Sequence, residues 1–448
     1  MFEKILIANR GEIALRIHRA CRELGISTVA VHSTADSDAM HVRLADETVC
    51  IGPAPARQSY LNIAAIGSAA EITGADAIHP GVGFLSENAD FAEIVGEHNL
   101  TFIGPRPEHI RIMGDKITAK KAVQSLGIPT VPGSEGILGS DEEALGLARQ
   151  IGYPVLIKAA AGGGGKGMKV ANNDAELLAM LPLARSESKS FFNSDDVFLE
   201  KFLQRPRHIE LQILGDGLGN VIHLGERDCS IQRRHQKLLE EAPSPALNAS
   251  ERDEIGAIAL KAMREMNYAS AGTLEFLYED GKFYFIEMNT RLQVEHPVTE
   301  YITGIDLVRE QIRIASGLPL SFTQEDIRIS GHAIEVRVNA ENSETFMASP
   351  GLVNPYHVPG GPGIRVDSQL YSGYRVPSNY DSMVAKLIVH GQTRNEAIMR
   401  LRRAMQEYVI GGIDTTIPLH QKILSDHDFI NGEYDIHWLE RKMANGWK

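Results

Sequence analysis

Cysteine, positive charge and long apolar runs are all scarce in this sequence. Its 448 residues include 3 cysteines, Cys21, Cys50 and Cys229, and none stands at a C-x-x-C spacing. This excludes a disulfide framework and a zinc knuckle, and it fits a reducing compartment. No run reaches the ~20 apolar residues that span a bilayer, and the N-terminus lacks the apolar core of a signal peptide. We therefore expect a cytoplasmic protein without a membrane segment.

Basic residues are outnumbered in the chain. There are 58 acidic and 45 basic residues, and the formal net charge is -13. Such a surplus of negative charge disfavours nonspecific binding to nucleic acid or to anionic lipid. An anionic substrate therefore needs a local basic pocket. The length and the hydrophobic content of 43% predict a globular protein of two or three domains.

The first part of the chain alternates strand and helix patterns. An apolar run at 4–8 leads through a glycine turn into a helical pattern, and further strand patterns occupy 27–32 and 76–79. This alternation predicts a parallel sheet covered by helices, in an N-terminal α/β domain at 1–114. The opening turn is not a G-x-G-x-x-G fingerprint, so it does not predict a dinucleotide site.

Two further domains are predicted after it. Residues 115–330 combine helices, a glycine-rich loop and antiparallel-looking strands. Residues 331–448 contain strand patterns at 332–339 and 383–390 and a helix from Arg394 to about Tyr408, which indicates a mixed α+β domain. The whole chain is thus predicted to be a multidomain α/β and α+β protein.

A run of glycines is the first motif that indicates chemistry. Gly162 to Gly165 follow the apolar run 155–157 and are flanked by Lys158 and Lys166. Backbone N–H groups and two lysines can cover a polyphosphate. Taken alone, a glycine run is more often a flexible linker, but the buried strand and the lysines favour a phosphate cover. A Walker A loop is excluded, because Gly167 stands where that motif needs Ser or Thr.

A β-hairpin with two acidic residues is predicted at 273–289. A two-residue loop at Asp280 and Gly281 would place Glu275 opposite Ile286, whereas a three-residue loop through Lys282 would place Glu275 opposite Glu287. Only the second register lets two carboxylates share a metal, and hard oxygen ligands of this kind suit Mg²⁺. We therefore expect the three-residue loop.

The residues after Glu287 continue to alternate. Polar side chains at Glu287, Asn289, Arg291, Gln293 and Glu295 are separated mainly by apolar ones, which predicts one strand with a row of reactive groups along its edge. A solvated charged face is the usual explanation of such a pattern. The apolar surroundings favour a covered row instead, and covered charges need a metal or an anion as partner.

Two weaker signals precede the hairpin. The segment from Glu226 to Lys237 concentrates cations among amide and acidic side chains, so it indicates an anion site, although a charged run is usually surface. His208 by itself is more often a hydrogen-bonded structural histidine than a catalyst.

Several motifs occur together in a fixed order: Ala8 to Ala14, His79 to Asn88, Gly114 to Lys116, the glycine loop, Gln232 to Lys237 and Glu287 to Pro297. Their combination resembles the biotin carboxylases of the ATP-grasp superfamily over essentially the whole chain. The resemblance implies an N-terminal biotin carboxylase domain at 1–114, an ATP-grasp domain at 115–330 with a mobile glycine-rich lid at about 131–203, and a C-terminal biotin carboxylase domain at 331–448.

The resemblance also implies the ligands of MgATP. Mn²⁺ is a substitute for Mg²⁺ in this expectation, and the metal ligands would be Glu275, Glu287 and Asn289. The other implied nucleotide-binding residues are Lys116, Lys158, Gly164, Gly165, Glu200, Leu203, His208, Gln232, His235, Leu277 and Ile436, of which Glu200, Leu203, Leu277 and Ile436 would surround the adenine.

The implied bicarbonate and biotin site comprises Lys237, Arg291, Gln293, Val294, Glu295, Arg337, Val82 and Gly83. Phosphoryl transfer from ATP to bicarbonate would give carboxyphosphate, with Glu295 as the general base. Carboxyphosphate would release CO₂ and phosphate, phosphate would deprotonate biotin, and Arg337 would stabilise the resulting enolate. Lys237 and Arg291 complete the catalytic set. The family usually has tyrosine where this chain has Val82.

The family resemblance also implies partners. The chain lacks an A-M-K-M biotinylation motif, so biotin is expected on a separate biotin carboxyl carrier protein. This fits the homodimeric biotin carboxylase subunit of an acetyl-CoA carboxylase, which supplies malonyl-CoA for fatty-acid synthesis together with carboxyltransferase subunits. Propionyl-CoA, methylcrotonyl-CoA and pyruvate systems are alternatives. Another ATP-grasp ligase should lack the combination of the R-L-Q-V-E-H motif and Arg337. A non-catalytic nucleotide-binding subunit is disfavoured by the presence of all five of Lys237, Glu275, Glu287, Glu295 and Arg337.

Overall fold

The N-terminal part of the computed structural model is a parallel α/β layer. The structure describes residues 1–134, 136–159, 168–192 and 194–447, without the side chains of 116, 117, 191 and 192. The elements of the N-terminal part are β1 (Lys4–Ile7), α1 (Gly11–Glu23), β2 (Ser27–Ser33), α2 (Met40–Leu44), β3 (Glu47–Gly52), α3 (Ile63–Thr73), β4 (Ala77–His79), α4 (Ala89–Glu97), β5 (Thr101–Phe102) and α5 (Pro107–Gly114). The strands pair in parallel in the order β3-β2-β1-β4-β5, which confirms the predicted sheet.

The carboxyl ends of β1 and β4 bring two motifs together. Asn9 follows β1, and its amide Nδ2 donates to the carbonyl oxygens of Pro80 (2.7 Å) and Val82 (2.8 Å) after β4. Gly81 has a φ of 67°, and a Cβ there would lie 2.8 Å from Asn9 Nδ2. Neighbouring parallel strands leave such a crevice at their carboxyl ends, so this edge faces the main cavity.

A smaller antiparallel layer comes next. Its elements are α6 (Lys116–Ser125), α7 (Asp141–Ile151), β6 (Val155–Ala159), β7 (Lys169–Ala171), α8 (Asp174–Phe192) and β8 (Val197–Lys201). The strands pair in the order β7-β6-β8. Leu138, Ile157, Leu177 and Leu199 belong to an apolar cluster of its own, under α7 and α8. The glycine-rich residues 160–167, between β6 and β7, lie outside the described residues.

An antiparallel sheet forms the centre of the molecule. The elements up to residue 330 are β9 (Arg207–Asp216), β10 (Val221–Arg233), β11 (Gln236–Ala242), α9 (Ala249–Glu265), β12 (Ala269–Glu279), β13 (Lys282–Asn289), α10 (His296–Thr303) and α11 (Leu307–Ala315). The later elements are β14 (His332–Asn339), β15 (Tyr356–His357), β16 (Ile364–Ser368), β17 (Met383–Gly391), α12 (Arg394–Glu407), β18 (Val409–Ile410), α13 (Ile417–Ser425), α14 (His427–Asn431) and α15 (Trp438–Ala444). None of the helices in the described part of the chain has the length and apolarity of a membrane span.

The central sheet does not stop at residue 330. Its strand order is β13-β12-β9-β10-β11-β14-β17-β16, so β11 and β14 pair across the predicted domain boundary. Glu240 of β11 is the direct partner of Glu335 in β14. The two sequence segments therefore share one sheet, while the apolar cluster that contains Leu387, Leu401 and Phe429 packs the later helices onto it.

The hairpin of β12 and β13 has the expected pairing but not the expected turn. Glu275 is the partner of Glu287, as predicted. The predicted three-residue loop is wrong, because Glu279 pairs with Lys282 around the two-residue turn of Asp280 and Gly281. Both turn residues have positive φ, 51° and 76°, as a type I′ hairpin turn requires.

A register shift between Glu275 and Phe276 accounts for the difference. Phe276 pairs with Phe285, so Ile286 is the extra residue before Glu287, which is the arrangement of a β-bulge. The bulge puts Phe285 into the apolar core with Phe276 and still leaves Glu287 on the cavity lining. With strict alternation these two positions of β13 would share a face.

The strand predicted from Glu287 to Glu295 is also shorter than expected. β13 ends at Asn289, the chain then follows an irregular path, and α10 begins at His296. Pro297 stands at the first turn of α10, where its lack of an N–H costs no helical hydrogen bond. Arg291, Gln293 and Glu295 therefore reach the cavity from a loop.

Candidate active site

One large cavity gathers most of the predicted site residues. Its volume is about 1270 Å³, above the range of about 300–1,000 Å³ typical of a site for one small ligand. The predicted residues that line it are Val82, Gly83, Lys158, Glu200, Leu203, His208, Gln232, His235, Lys237, Glu275, Leu277, Glu287, Asn289, Arg291, Gln293, Val294, Glu295, Arg337 and Ile436. The cavity therefore has room for a nucleotide and a second substrate.

Three predicted nucleotide ligands cannot be placed in the same way. Lys116 is the first residue of α6, but its side chain is outside the described residues. Gly164 and Gly165 lie in the undescribed segment 160–167. Their predicted contacts with nucleotide phosphates stay predictions.

Lys237 is the centre of the charged part of the site. Its Nζ donates to Glu275 Oε1 (3.1 Å) and Glu295 Oε1 (2.8 Å), and it also bonds Glu210. The side chain of Lys237 is 14% exposed, and those of the three glutamates are nearly or fully buried. A buried ammonium group that serves three carboxylates reduces the repulsion between them.

Burial and charge act in opposite directions on the pKa values in this group. Burial alone would raise the pKa of Glu295, but Lys237 and Arg337 outweigh it and hold that pKa below its ordinary value. The same balance lowers the pKa of Glu275, where Lys237 and His208 act against burial. Burial would lower the pKa of His208, but Glu275, with Nε2 to Oε2 at 2.9 Å, raises it to about 9. These carboxylates are therefore ionised at neutral pH.

Glu295 connects Lys237 to Arg337. Arg337 Nη2 donates to Glu295 Oε2 at 2.8 Å, and Arg337 Nε donates to Glu240 Oε1 at 2.6 Å. Each carboxylate oxygen of Glu295 thus accepts a hydrogen bond from a different cation. Arg337 comes from β14 and Glu295 from the loop before α10, so only the folded sheet brings them together.

Arg291 lies at the other side of the loop. Its Nε donates to Glu87 Oε2 at 2.8 Å, and its Nη2 donates to Asn289 Oδ1 at 2.8 Å. Glu87 also accepts from the backbone N–H of Thr290 at 3.0 Å. The N-terminal α/β layer therefore holds this loop in place through one glutamate.

Three side chains of the β12–β13 hairpin fit a divalent metal. Glu275 and Glu287 are cross-strand partners that both line the cavity, and carboxylate oxygens are the ligands that Mg²⁺ prefers. Asn289 Nδ2 donates to Glu275 Oε1 at 2.5 Å, so ligation by Asn289 requires its amide to turn and present Oδ1. This donor set is hard and anionic, which suits Mg²⁺ or Mn²⁺.

The opposite end of the cavity is less polar. Leu203, Leu277 and Ile436 line it, and Ile436 is held by a backbone hydrogen bond to Pro206 O at 3.0 Å. Glu200 lies beside them and accepts from Lys158 Nζ (2.6 Å) and Lys120 Nζ (2.9 Å). Apolar side chains with one polar group suit the flat face and polar edge of a base.

Gln232 and His235 stand at the β10–β11 turn that borders the cavity. His235 is exposed and has a φ of 63°, next to Arg234 with a φ of 48°, so the turn uses left-handed backbone at two non-glycine positions. On the other wall, Val82 is half-buried between Gly81 and Gly83, both with positive φ. Val82 lines the cavity and also packs against the apolar cluster that contains Ile13.

Glu210 is a central residue that the sequence analysis did not single out. It is fully buried, bonds Lys237, and accepts from Arg227 Nη2 at 3.2 Å. Burial would raise its pKa, but Lys237, His208 and Arg227 hold it well below the ordinary value. The signal was present in β9, where His208, Glu210 and Gln212 alternate with apolar residues.

Sequence models of three protein families match the chain in succession. They are described as "Biotin carboxylase, N-terminal domain" at residues 1–110, "Carbamoyl-phosphate synthase L chain, ATP binding domain" at 115–323, and "Biotin carboxylase C-terminal domain" at 335–441. Together they cover most of the chain.

Full-length relatives carry the same description. The chain is 60% identical over 445 residues to a protein named biotin carboxylase from Pseudomonas aeruginosa, with 99% of each chain covered. It is 59% identical to a biotin carboxylase of Haemophilus influenzae, with 99% of each covered, and 56% identical to biotin carboxylase 1 of Bacillus subtilis, with 98% of each covered.

Solved structures agree in fold. The biotin carboxylase of Campylobacter jejuni, in complex with a β-γ-ATP compound, is 49% identical with a TM-score of 0.92, covering 98% of this chain and 99% of that one. The biotin carboxylase domain dimer of 2-oxoglutarate carboxylase from Hydrogenobacter thermophilus, with MgADP, ADP and bicarbonate, is 51% identical with a TM-score of 0.91, covering 99% and 98%.

Proposed function

The chain belongs to the biotin carboxylase family, and we propose that its cavity joins a nucleotide end and a bicarbonate end through Lys237 and Glu275. The protein is an ATP-dependent ligase that carboxylates biotin, with ATP and Mg²⁺ as cofactors. The observation that supports the division of the cavity is the Lys237 ammonium, which contacts both Glu275 and Glu295. The phosphoryl group that moves from ATP to bicarbonate would therefore pass close to the Lys237 ammonium group.

The nucleotide end comprises the apolar wall and the acidic hairpin. Leu203, Leu277, Ile436 and Glu200 would hold the adenine, while Glu275, Glu287 and Asn289 would hold the metal. The further nucleotide residues proposed here are Lys116, Lys158, Gly164, Gly165, His208, Gln232 and His235. The metal, when bound, neutralises charge on the phosphates and helps to orient the γ-phosphoryl group.

The bicarbonate end lies in the loop before α10. Bicarbonate would be bound by Lys237, Arg291, Gln293 and Val294, and Glu295 would take its proton. Because the pKa of Glu295 is held low, its carboxylate is charged and ready to accept a proton at neutral pH. An anion bound between Lys237 and Arg291 would weaken the hold of Lys237 on Glu295, which makes the carboxylate a stronger base in the complex.

Two transfers then complete the reaction. An oxygen of deprotonated bicarbonate attacks the γ-phosphorus of ATP, the bond to ADP breaks, and carboxyphosphate forms. Carboxyphosphate dissociates to CO₂ and phosphate, and phosphate takes the proton of the reacting biotin nitrogen. That nitrogen attacks CO₂, while Arg337 stabilises the negative charge on the biotin oxygen. Val82 and Gly83 would line the biotin side, and the segment 131–203 would act as a lid that excludes water.

The physiological partners are part of the proposal. A biotin carboxyl carrier protein would bring biotin, and carboxyltransferase subunits would use the carboxybiotin to make malonyl-CoA in an acetyl-CoA carboxylase. Full-length identity to proteins named simply biotin carboxylase supports this assembly. A propionyl-CoA, methylcrotonyl-CoA or pyruvate carboxylase is the second candidate. Of these, pyruvate carboxylase is supported by a solved biotin carboxylase subunit that is 51% identical with a TM-score of 0.90.

We also propose that the protein is a cytoplasmic homodimer. The biotin carboxylase domain of Hydrogenobacter thermophilus 2-oxoglutarate carboxylase is a dimer in its crystal structure, which supports this oligomeric state. Its cysteines, Cys21, Cys50 and Cys229, are free thiols, as a reducing compartment requires. The proposed domains are 1–114, 115–330 and 331–448.

The decisive experiment measures ATP hydrolysis with and without bicarbonate and free biotin. We expect stimulation that needs both compounds, and formation of carboxybiotin. Glu295→Ala and Arg337→Ala should abolish biotin carboxylation and leave nucleotide affinity unchanged, whereas the exposed Arg403→Ala, whose side chain pairs with Glu407, should behave as the wild type. Loss of ATP binding in the first two variants would contradict the assigned roles.

The same assay distinguishes biotin carboxylase activity from the two rival functions. A different ATP-grasp ligase would hydrolyse ATP without any requirement for biotin, and a non-catalytic nucleotide-binding subunit would bind ATP without turnover. Replacing acetyl-CoA by propionyl-CoA, methylcrotonyl-CoA or pyruvate in the reconstituted complex identifies the acceptor that the assembly carboxylates.

A further inference from the structure

Two buried glutamates lie next to Arg337 and are not among the residues that line the cavity. Glu240 of β11 and Glu335 of β14 are direct partners in the antiparallel pair, so their side chains project from the same face. Arg337 is two residues after Glu335 on that face. Both glutamates have an exposed fraction of 0%. No step of the proposed reaction uses either of them.

The hydrogen bonds of the two glutamates are incomplete. Glu240 Oε1 accepts from Arg337 Nε at 2.6 Å, but Glu240 Oε2 has no partner. Neither Oε1 nor Oε2 of Glu335 has a hydrogen-bond partner. Buried carboxylate oxygens without donors are costly, and two ionised carboxylates side by side add repulsion. A proton on Glu335 would remove the repulsion and supply a donor for Glu240 Oε2.

The surrounding charges favour the same arrangement. Lys386, the partner of Arg337 in β17, is fully buried and donates to Val294 O at 2.7 Å. Burial raises the pKa of Glu335 well above its ordinary value, with Glu240 adding to the rise and Lys386 opposing it. Burial likewise raises the pKa of Glu240 to about 7, although Arg337 and Lys237 oppose the rise and Glu295 adds to it.

We propose that Glu240 and Glu335 share one proton at neutral pH and act together as positioning residues for Arg337. Glu335 carries the proton and donates to Glu240 Oε2, and ionised Glu240 holds Arg337 Nε. This leaves the remaining guanidinium N–H groups directed at Glu295 and at the substrate. The inference rests on the proposed role of Arg337 in stabilising negative charge on biotin.

The shared proton also sets the charge next to the substrate. With one proton on the pair, Glu240 and Arg337 together are neutral. Loss of that proton adds a second negative charge beside Arg337, which opposes the negative charge that develops on biotin. The groups that face the pair are Arg337, Lys386, Lys237 and Glu295. Lys386 also contacts Asp367 of β16 and Glu12 of α1, a buried group whose pKa is raised by burial although Lys386 opposes the rise. The pKa of Lys237, Lys386 and Arg337 is raised in each case, against burial, by neighbouring carboxylates. The acids of the pair are therefore the groups that lose protons first as the pH rises.

Glu240→Gln tests the hold on Arg337. The substitution keeps an acceptor oxygen but removes the charge, and we expect the KM for free biotin to rise about tenfold, the order that one charge-assisted hydrogen bond contributes. The KM for ATP should stay within about twofold, because Glu240 is not among the residues that line the cavity. Unchanged KM for biotin would overturn the proposal.

The matched control is Glu310→Gln. Glu310 is also buried, but it lies in α11 and its carboxylate bonds Ser321 and Arg313 away from the cavity. This variant should match the wild type in every kinetic constant. A rise in the KM for biotin in both variants would indicate general loosening of the fold and would overturn the specific role of Glu240.

Glu335→Gln tests the shared proton. Its amide donates permanently to Glu240 Oε2 and cannot ionise, so the ratio of variant to wild-type kcat/KM for biotin should increase as the pH rises. A ratio that does not change with pH would overturn the proposal. Infrared difference spectroscopy adds a readout that needs no foldable variant of Glu240: the carbonyl band of one protonated buried carboxyl group should be present in the wild type at neutral pH and lost in Glu335→Gln. A band from Glu12, which is also buried, would be common to both proteins and cancel in the difference.

The failure of this inference differs from the failure of the proposed function. If Arg337→Ala carboxylates biotin normally, the role of Arg337 is wrong. If Arg337→Ala is inactive while Glu240→Gln and Glu335→Gln match the wild type at every pH, only the positioning role is wrong.

Discussion

At the residue scale, Lys237 is the common charge partner of three buried carboxylates. One ammonium group contacts Glu210, Glu275 and Glu295, and neighbouring carboxylates raise its pKa well above the ordinary value although burial alone would lower it. The lysine is thus structural before any substrate arrives. In the proposed reaction the same ammonium group binds bicarbonate, so one residue serves both the stability of the site and its activity.

Lys237→Met keeps the apolar stem and removes the charge. We expect the variant to lose about 3–5 kcal/mol of stability at pH 7, since removal of one partner from a buried ion pair leaves uncompensated charge. The deficit should shrink at lower pH, because the glutamates can then take up protons. Differential scanning calorimetry from pH 7 down to pH 5 measures both effects.

Lys261→Met is the control for this substitution. Lys261 is 73% exposed and lies 4.0 Å from Glu265 on the surface of α9, so its loss should cost no more than about 0.5 kcal/mol. A deficit of equal size in the two variants, or one that does not depend on pH in Lys237→Met, would contradict the shared role of Lys237.

At the scale of single elements, the β12–β13 hairpin supplies side chains to the apolar core and to the cavity from one strand. Phe285 and Glu287 are two positions apart, yet one lies in the core and the other lines the cavity. The extra residue Ile286 makes this compatible with a pleated strand. The tight turn at Asp280 and Gly281 sets the strand register near the turn. The bulge at Ile286 shifts that register by one residue, so that Glu287 pairs with Glu275.

Asp280→Val should destabilise the hairpin without changing the site. Asp280 is exposed and has a φ of 51°, a conformation that costs a β-branched residue about 1–2 kcal/mol. Asp280→Gly, which adopts this φ freely, should show no such loss. Chemical denaturation measures the difference between the two, and nucleotide affinity should be equal in both because Glu275 and Glu287 lie at the other end of the pair.

A lower nucleotide affinity for Asp280→Val than for Asp280→Gly would contradict this view of the hairpin. It would indicate that strain at the turn changes the pairing of Glu275 with Glu287, despite the bulge that lies between them and the turn.

At the scale of the whole molecule, the central sheet makes one unit of two sequence segments. β11 pairs with β14, and this pairing places Glu240 next to Glu335. The proposed lid differs, because among the described residues β6, β7 and β8 form a separate small sheet in the order β7-β6-β8 and enclose an apolar cluster of their own. We therefore expect cooperative unfolding of the central sheet and independent unfolding of the lid.

Splitting the chain between residues 330 and 331 tests this unity. Each fragment has one open sheet edge, formed by β11 in the first fragment and by β14 in the second. We expect both fragments to aggregate when expressed alone, because open sheet edges pair with other chains. Co-expression should restore a soluble complex that hydrolyses ATP with bicarbonate and biotin. A soluble, cooperatively folded fragment 331–448 would contradict a shared sheet as the stabilising unit.

The dependence of stability on pH also belongs to the whole molecule. The pKa of Glu210 and Glu241 is lowered, against burial, by Lys237 and Arg394 respectively, so their stabilisation is present above about pH 4.3 and is lost as the pH falls. The pKa of His208 is raised to about 9, so its stabilisation is complete below about pH 6.5 and is lost as the pH rises to 9.

We therefore expect a maximum of thermal stability between about pH 5 and pH 6.5 for the protein without metal or nucleotide. Calorimetry over a series of buffers from acid to alkaline pH gives the profile. A Tm that stays constant, or that increases between neutral and mildly alkaline pH, would contradict the assigned pKa shifts.

Periodicity and turn residues were enough to predict much of the architecture. Strand–helix alternation predicted the parallel N-terminal sheet, and the pattern at 332–339 coincides with β14. These signals are local, because hydrophobic spacing reflects which face of an element is buried. The extent of β13 was overestimated, since alternation continues through Glu295 while the chain leaves the sheet at Asn289 to form the loop before α10.

The chemical groups of this protein follow from its residues alone: the acidic hairpin, the cations between Glu226 and Lys237, Arg337 and the family to which the chain belongs. The tertiary structure alone decided which of these groups meet. Ile286 restores the pairing of Glu275 with Glu287, and Lys237 joins carboxylates from three separate segments. Residue types and periods are local properties, whereas bulges and long-range charge partners depend on how distant strands are aligned in one sheet.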